Sequence, residues 1–194
     1  MKRRADDFVL VGVGGQGVVL AANLLARAFL EAGFDVKQSE VHGMAQRGGS
    51  VQSFVRRGEI VRSPVVEPGC ADILIAFEEL EALRYVDFVR EDGLIIVSRE
   101  KLPPLSVTAG KSVYPEDILP RLQKRAQVIP VNARGISEEL GNVRMANTVM
   151  MGALSALLDL QEEAWQKAIR STVKYALNLN IKAFEAGRSS VSAG

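Results

Sequence analysis

The residues best able to do chemistry fall in two short runs. Gly12-Val13-Gly14-Gly15-Gln16-Gly17 fits G-x-G-x-x-G and lies between an apolar stretch, Phe8–Val11, and a helical pattern beginning at Val18. Glycines let a backbone turn sharply and approach a ligand closely, and the free N–H groups of the following helix attract an anion such as phosphate. The plainer reading is tight packing of helix on strand with no ligand, because many folds share this loop. A dinucleotide fingerprint also wants an acid at the end of the second strand, and Glu40 is near that place.

The second run is Ser39-Glu40-Val41-His42-Gly43-Met44-Ala45-Gln46-Arg47-Gly48-Gly49-Ser50. It is rich in hydrogen-bonding groups, and its glycines let backbone pass close to another surface. His42 is the only histidine, so no histidine pair can build a metal site, and a lone histidine is more often structural than catalytic. Arg47 suits a carboxylate or phosphate through its planar fork; otherwise it makes a surface ion pair worth roughly 0–1 kcal/mol. Such a loop is poor core material and good material for a lid or a subunit contact. The candidate ligand- or partner-binding residues are therefore Gly12, Gly14, Gly15, Gln16, Gly17, Glu40, His42, Gln46, Arg47, Gly48 and Gly49. None is assigned a catalytic role, and no metal ligand is proposed.

The elements that must position these runs follow from periodicity. Phe8–Val11 reads as a strand buried on both faces. Apolar residues at 18, 21, 22, 25, 28 and 29 make one helical face, Gly33 ends that helix, and Phe34–Ser39 reads as a second strand. Ser50–Arg56 and Glu59–Ser63 flank Arg57-Gly58 and predict an antiparallel hairpin. Asp72–Phe77, Leu94–Val97 and Val128–Val131 are further buried strands. A helix carrying Leu80, Leu83 and Val86 follows the first of these, and another spans Pro115–Arg125. Met145–Leu158 is apolar nearly all round, and Glu162–Ala186 is one amphipathic helix. Trp165, Ala168, Ile169, Thr172, Ala176, Leu179 and Ala183 form its inner stripe, with Lys167, Arg170, Lys174 and Lys182 away from it. The expected fold is an α/β three-layer sandwich with a Rossmann-like, mostly parallel sheet, an added antiparallel hairpin and C-terminal helices. Residues 1–186 form a single domain, and 187–194 read as a flexible tail.

Composition narrows the function classes. The 194 residues carry 24 Lys and Arg against 23 Asp and Glu, a net charge of +1, which supplies no field for gripping nucleic acid or an anionic membrane. One cysteine, Cys70, excludes an internal disulfide and any four-cysteine cluster built by this chain alone. The basic start Lys2-Arg3-Arg4 is interrupted by Asp6 and Asp7, and glycines break the apolar stretch behind it, so a signal peptide is not expected. A cytoplasmic protein that neither spans a membrane nor binds nucleic acid is expected. Cys70 reads as a small buried hydrophobe, Glu78, Glu79 and Glu81 as a favourable helix start, and Met145, Met150 and Met151 as core. Arg56, Arg57 and Arg62 form a small basic cluster, either solvated or facing a partner, with a coenzyme A phosphate as a weaker reading.

The glycine loop together with Val41-His42-Gly-Met-Ala-Gln-Arg-Gly-Gly-Ser50-Val51 resembles the gamma-type domain of 2-oxoacid:ferredoxin oxidoreductases. The His42–Gly49 wording is similar, more narrowly, to the small (beta) subunits of the indolepyruvate-type enzymes. Ala76-Phe77-Glu78, Leu80–Tyr85, Asn142 and Asn147 extend the likeness from about residue 8 to 185. That resemblance implies a complex. A larger alpha subunit would carry thiamine diphosphate, magnesium and iron–sulfur clusters of the 4Fe-4S type. Coenzyme A would be cosubstrate and ferredoxin the electron acceptor. An arylpyruvate would be oxidatively decarboxylated to an acyl-CoA, and this chain would be silent alone. The alternative from the residues is a stand-alone NAD- or flavin-binding Rossmann protein, against which stands the missing histidine–carboxylate pair for hydride transfer.

Overall fold

Phe8–Val11 lies inside β1 (Asp6–Val13), and its four side chains alternate between two cores. The computed structural model describes residues 6–42 and 49–192. After β1 the chain runs through α1 (Val18–Glu31), β2 (Asp35–His42), β3 (Ser50–Gly58), β4 (Ala71–Ala76), α2 (Glu79–Arg84) and β5 (Val89–Ser98). It continues through α3 (Leu105–Thr108), α4 (Ile118–Gln123), β6 (Gln127–Val131), α5 (Ala133–Glu139), α6 (Ala146–Ser155), α7 (Glu162–Thr172) and α8 (Leu177–Ser192). The sheet order is β2-β3-β1-β4-β5-β6. β1, β4, β5 and β6 pair in parallel, whereas β3 is antiparallel to both β1 and β2.

Two apolar layers sandwich this sheet. Phe8, Leu10, Ile75 and Ile96 face one core, filled from above by Phe29 of α1, Met150 of α6, Trp165 of α7 and Phe184 of α8. Val9, Val11, Leu74 and Val97 face the other, closed by Ala82 of α2 and by Ile118 and Leu122 of α4. Each fully buried side chain of this size contributes about 1.5–3 kcal/mol relative to exposure. The three-layer α/β expectation holds, and Met145, Met150 and Met151 are core. No helix among the described residues is long and apolar enough to cross a membrane.

Several expectations need correction. Glu59–Ser63 is not a strand, and the hairpin is instead β2–β3. Side chains hold the segment after β3: Asp35 Oδ2 accepts from Val61 N at 2.7 Å, and Arg56 Nη1 donates to the Ser63 and Val65 carbonyls. Pro64 between them has no N–H for a ladder. The helix expected over Pro115–Arg125 is confined to α4.

Glu162–Ala186 is also not one helix. It breaks at Val173–Ala176, where Ala176 adopts a left-handed φ of 50°. Asn180 Nδ2 donates to the Tyr175 and Ala176 carbonyls and so fixes the corner. The tail reading of 187–194 fails over its described part, since α8 runs to Ser192. A Cβ at Gly187 would meet the Val149 carbonyl oxygen at 2.0 Å, and one at Gly152 would meet that of Phe184 at 2.0 Å. The absent side chains let α6 and α8 touch backbone to backbone.

Candidate functional site

The carboxyl ends of parallel strands converge where the chain leaves β1 for one side of the sheet and β4 for the other, the place where open α/β sheets bind ligands. The glycine loop occupies that crevice. Gly12 is needed for space: a Cβ there would meet Val18 Cγ2 at 2.8 Å and Phe77 Cβ at 3.0 Å. Gly15 and Gly17 are needed for backbone shape, with φ of 105° and 78°. Gly17 caps α1 without any side-chain hydrogen bond, so the first-turn N–H groups and the positive end of the helix dipole stand at the crevice wall.

Gln16 locks the loop. Its Oε1 accepts from Val13 N at 2.7 Å, and its Nε2 donates to the Phe77 carbonyl at 2.8 Å. This one side chain therefore joins the ends of β1 and β4, and it reaches Glu100 Oε2 at 3.5 Å. A cavity of about 340 Å³ opens beside it, walled by Gly15, Gly17, Phe77, Ser98, Glu100, Arg134, Arg144 and Asn147 among others. Glu100 pairs with Arg134 at 3.2 Å, and Arg134 is shared with Glu138 at 2.9 Å. Those two carboxylates, Glu138 first, hold the Arg134 guanidinium above its usual pKa. Asn147 is almost fully buried and packs where a Cβ on Gly17 would fall, 2.5 Å from its Nδ2. The α1 N–H donors and Arg144 are the groups of this crevice that suit an anionic or phosphate-bearing group, since Arg134 is already engaged by two carboxylates.

The second run ends beside the first. Gly14 N donates to the Gly49 carbonyl at 2.8 Å, and Ser50 Oγ donates to the buried carboxylate of Glu81, with Tyr85 Oη 3.1 Å from the same hydroxyl. Gln46, Arg47 and Gly48 lie outside the described residues, as does the side chain of His42. Glu40 is not brought to the glycine loop. It lies exposed on edge strand β2, with β3 between that strand and β1, roughly 10 Å away by two strand spacings. A dinucleotide fold needs its acid on the strand beside β1, so Glu40 cannot play that part.

The buried acids are structural. Glu78 caps α2 by accepting from Glu81 N at 2.8 Å and holds the segment between β5 and α4 through Leu102 N and the Tyr114 hydroxyl. Burial, then the Glu78 carboxylate, pushes the Tyr114 phenol far above the usual tyrosine range. Arg56 and Arg57 sit at the opposite end of β1, paired with Asp7 and Asp6, and the Arg57 guanidinium lies 4.5 Å from the Phe29 ring centre. They are therefore no part of a phosphate site at the crevice. Cys70 is exposed rather than buried. Among the described residues no three His, Cys, Asp or Glu side chains are placed to hold a metal ion. Ser98, Glu100, Arg134 and Arg144 escaped sequence reading. The available signal was their position just beyond strands or at a helix start on the same sheet edge.

The family model described as pyruvate ferredoxin/flavodoxin oxidoreductase matches residues 7–190. The chain is 43% identical to indolepyruvate oxidoreductase subunit IorB of Archaeoglobus fulgidus, over 97% of this chain and 96% of that one. It is 30% identical to the pyruvate/ketoisovalerate oxidoreductases common subunit gamma of Thermococcus kodakarensis, over 90% of each chain. Among solved structures, the keto/oxoacid ferredoxin oxidoreductase gamma subunit of Geobacter sulfurreducens superimposes with a TM-score of 0.73 at 26% identity, over 97% of this chain and 99% of that one.

Proposed function

The chain belongs to the pyruvate ferredoxin/flavodoxin oxidoreductase family, and from that premise we propose that it is the non-catalytic subunit of a thiamine-dependent 2-oxoacid:ferredoxin oxidoreductase acting on arylpyruvates, indolepyruvate among them. The complex oxidatively decarboxylates its substrate with coenzyme A, giving an acyl-CoA and carbon dioxide and passing the electron pair to ferredoxin. A larger partner carries thiamine diphosphate, magnesium and the 4Fe-4S clusters. The observation that carries the reading is the end-to-end likeness to a whole small subunit, 97% of one chain matched to 96% of the other.

Its own residues fit that division of labour. A single exposed cysteine cannot supply the four thiolates of a cluster, and the one carboxylate in the crevice is held by Arg134. The N-terminus of α1 and Arg144 would receive a phosphate of coenzyme A or a loop of the partner. The Glu40–Ser50 segment, fastened at Gly49 and Ser50, would exclude water from the shared site. Anaerobic assay of arylpyruvate-dependent ferredoxin reduction, with coenzyme A present, tests this. Activity from the two subunits together and from neither alone is expected. Turnover by this chain alone, or by the partner without it, refutes the reading.

A further inference from the structure

We propose that the α7–α8 corner is the surface on which the larger subunit docks, meeting it with an apolar socket edged by carboxylates; this rests on the subunit reading above. Between Ala164 and Phe184 the sequence holds four cations, Lys167, Arg170, Lys174 and Lys182, and no Asp or Glu, with Glu163 and Glu185 flanking the run, in a chain whose net charge is only +1. All four are exposed, and none makes an ion pair among the described residues. Lys167 and Arg170 share a face of α7 by their i, i+3 spacing, and Lys174 follows in the corner itself.

Within this run stands Tyr175, 85% exposed. Its backbone is fixed from below. The left-handed Ala176 is unfavourable for a residue with a Cβ, and buried Asn180 holds it by donating Nδ2 to both the Tyr175 and Ala176 carbonyls at 3.2 Å. Asn180 Oδ1 in turn accepts from Thr148 Oγ1 at 2.7 Å. An exposed aromatic on a backbone so pinned loses little freedom on binding, which is what an interface anchor requires.

The corner lies close to the crevice. Leu20, 38% exposed, and Val173 border a shallow groove whose wall includes Asn147, and Asn147 also walls the 340 Å³ cavity. Val173 stands two residues before Tyr175, so a partner seated on the corner is placed beside the site it is to complete. A second copy of this chain is disfavoured, because a two-fold contact would set the four cations against themselves. Nucleic acid is disfavoured because the chain as a whole supplies no supporting field.

The test uses the full chain and the larger subunit of the same organism, with affinity measured by calorimetry under argon. One variant carries Lys167→Glu, Arg170→Glu and Lys174→Glu, and the other Tyr175→Ala. All these side chains are exposed, so thermal unfolding should match that of the wild type. The charge-reversed variant should bind at least about a hundredfold more weakly and Tyr175→Ala about tenfold. Wild-type affinity should fall as salt rises through the range where surface charges are screened. Wild-type affinity in both variants overturns the proposal. So does an unchanged affinity for the larger subunit accompanied by lost binding to anionic vesicles or RNA. If the wild-type chain binds no larger subunit, the subunit reading itself has failed.

Discussion

Gly187→Ala is a sharp test of how the C-terminal helix is held. A methyl group at residue 187 would begin 2.0 Å from the Val149 carbonyl oxygen. Ordinary contact needs about 3.5 Å, so α6 and α8 must part by roughly 1.5 Å at their crossing. The obstacle is backbone, so no side-chain rotation relieves it. The same crossing carries the Thr148–Asn180 hydrogen bond and the packing of Phe184, which the separation would loosen. Overpacking of this kind destabilises by about 1–3 kcal/mol, and the present case belongs at the upper end. Alanine offsets about 1 kcal/mol through its better helix propensity. The net is a loss of about 2 kcal/mol, or roughly 4–8 °C in Tm for a domain of this size. Thermal unfolding by circular dichroism measures it, with Ser189→Ala on the exposed side of α8 as control. A Gly187→Ala variant that melts at or above the wild-type temperature would refute the helix crossing.

Three further outcomes are expected. Gln16→Leu strands Val13 N and the Phe77 carbonyl and should cost about 1–3 kcal/mol by chemical denaturation while lowering the activity of the complex; unchanged values in both would show that Gln16 does not lock the loop. Tyr114, whose folded pKa is raised, contributes stability that is complete below the unfolded tyrosine pKa of about 10 and is lost as pH rises beyond it, because the unfolded chain ionises first. An ultraviolet titration should therefore show a tyrosine step that waits for unfolding, and Tyr114→Phe should abolish that step; a Tyr114 phenol that ionises in the folded chain at about pH 10 would contradict this. Arg47→Ala should leave the melting of the isolated chain unchanged while lowering arylpyruvate oxidation by the assembled complex, and full activity would remove Arg47 from the mechanism.

What could be read from sequence depended on how local the deciding forces were. β1, α1 and the glycine loop were legible because burial on both faces, a single apolar stripe and left-handed glycines each leave a pattern within a few residues. The position of β3 between β1 and β2 was not legible, since strand order is settled by long-range pairing that periodicity does not encode. That one insertion removes Glu40 from the crevice. The break at Val173–Ala176 was hidden because the apolar stripe continues through it in phase, and only the distant partners Asn180 and Thr148 fix the corner. Gly187 read as a tail residue because glycine near a terminus signals looseness; here it marks the closest approach of two helices. Cys70 read as buried by its type, whereas it lies exposed in the turn before β4.

Anaerobic capture of this chain from its native extract is the most direct test of the account, with the co-purifying protein weighed and its iron and thiamine diphosphate counted in the same sample. A stoichiometric larger partner carrying both is the predicted result. A chain recovered without such a partner, and holding NAD or flavin of its own, would contradict it.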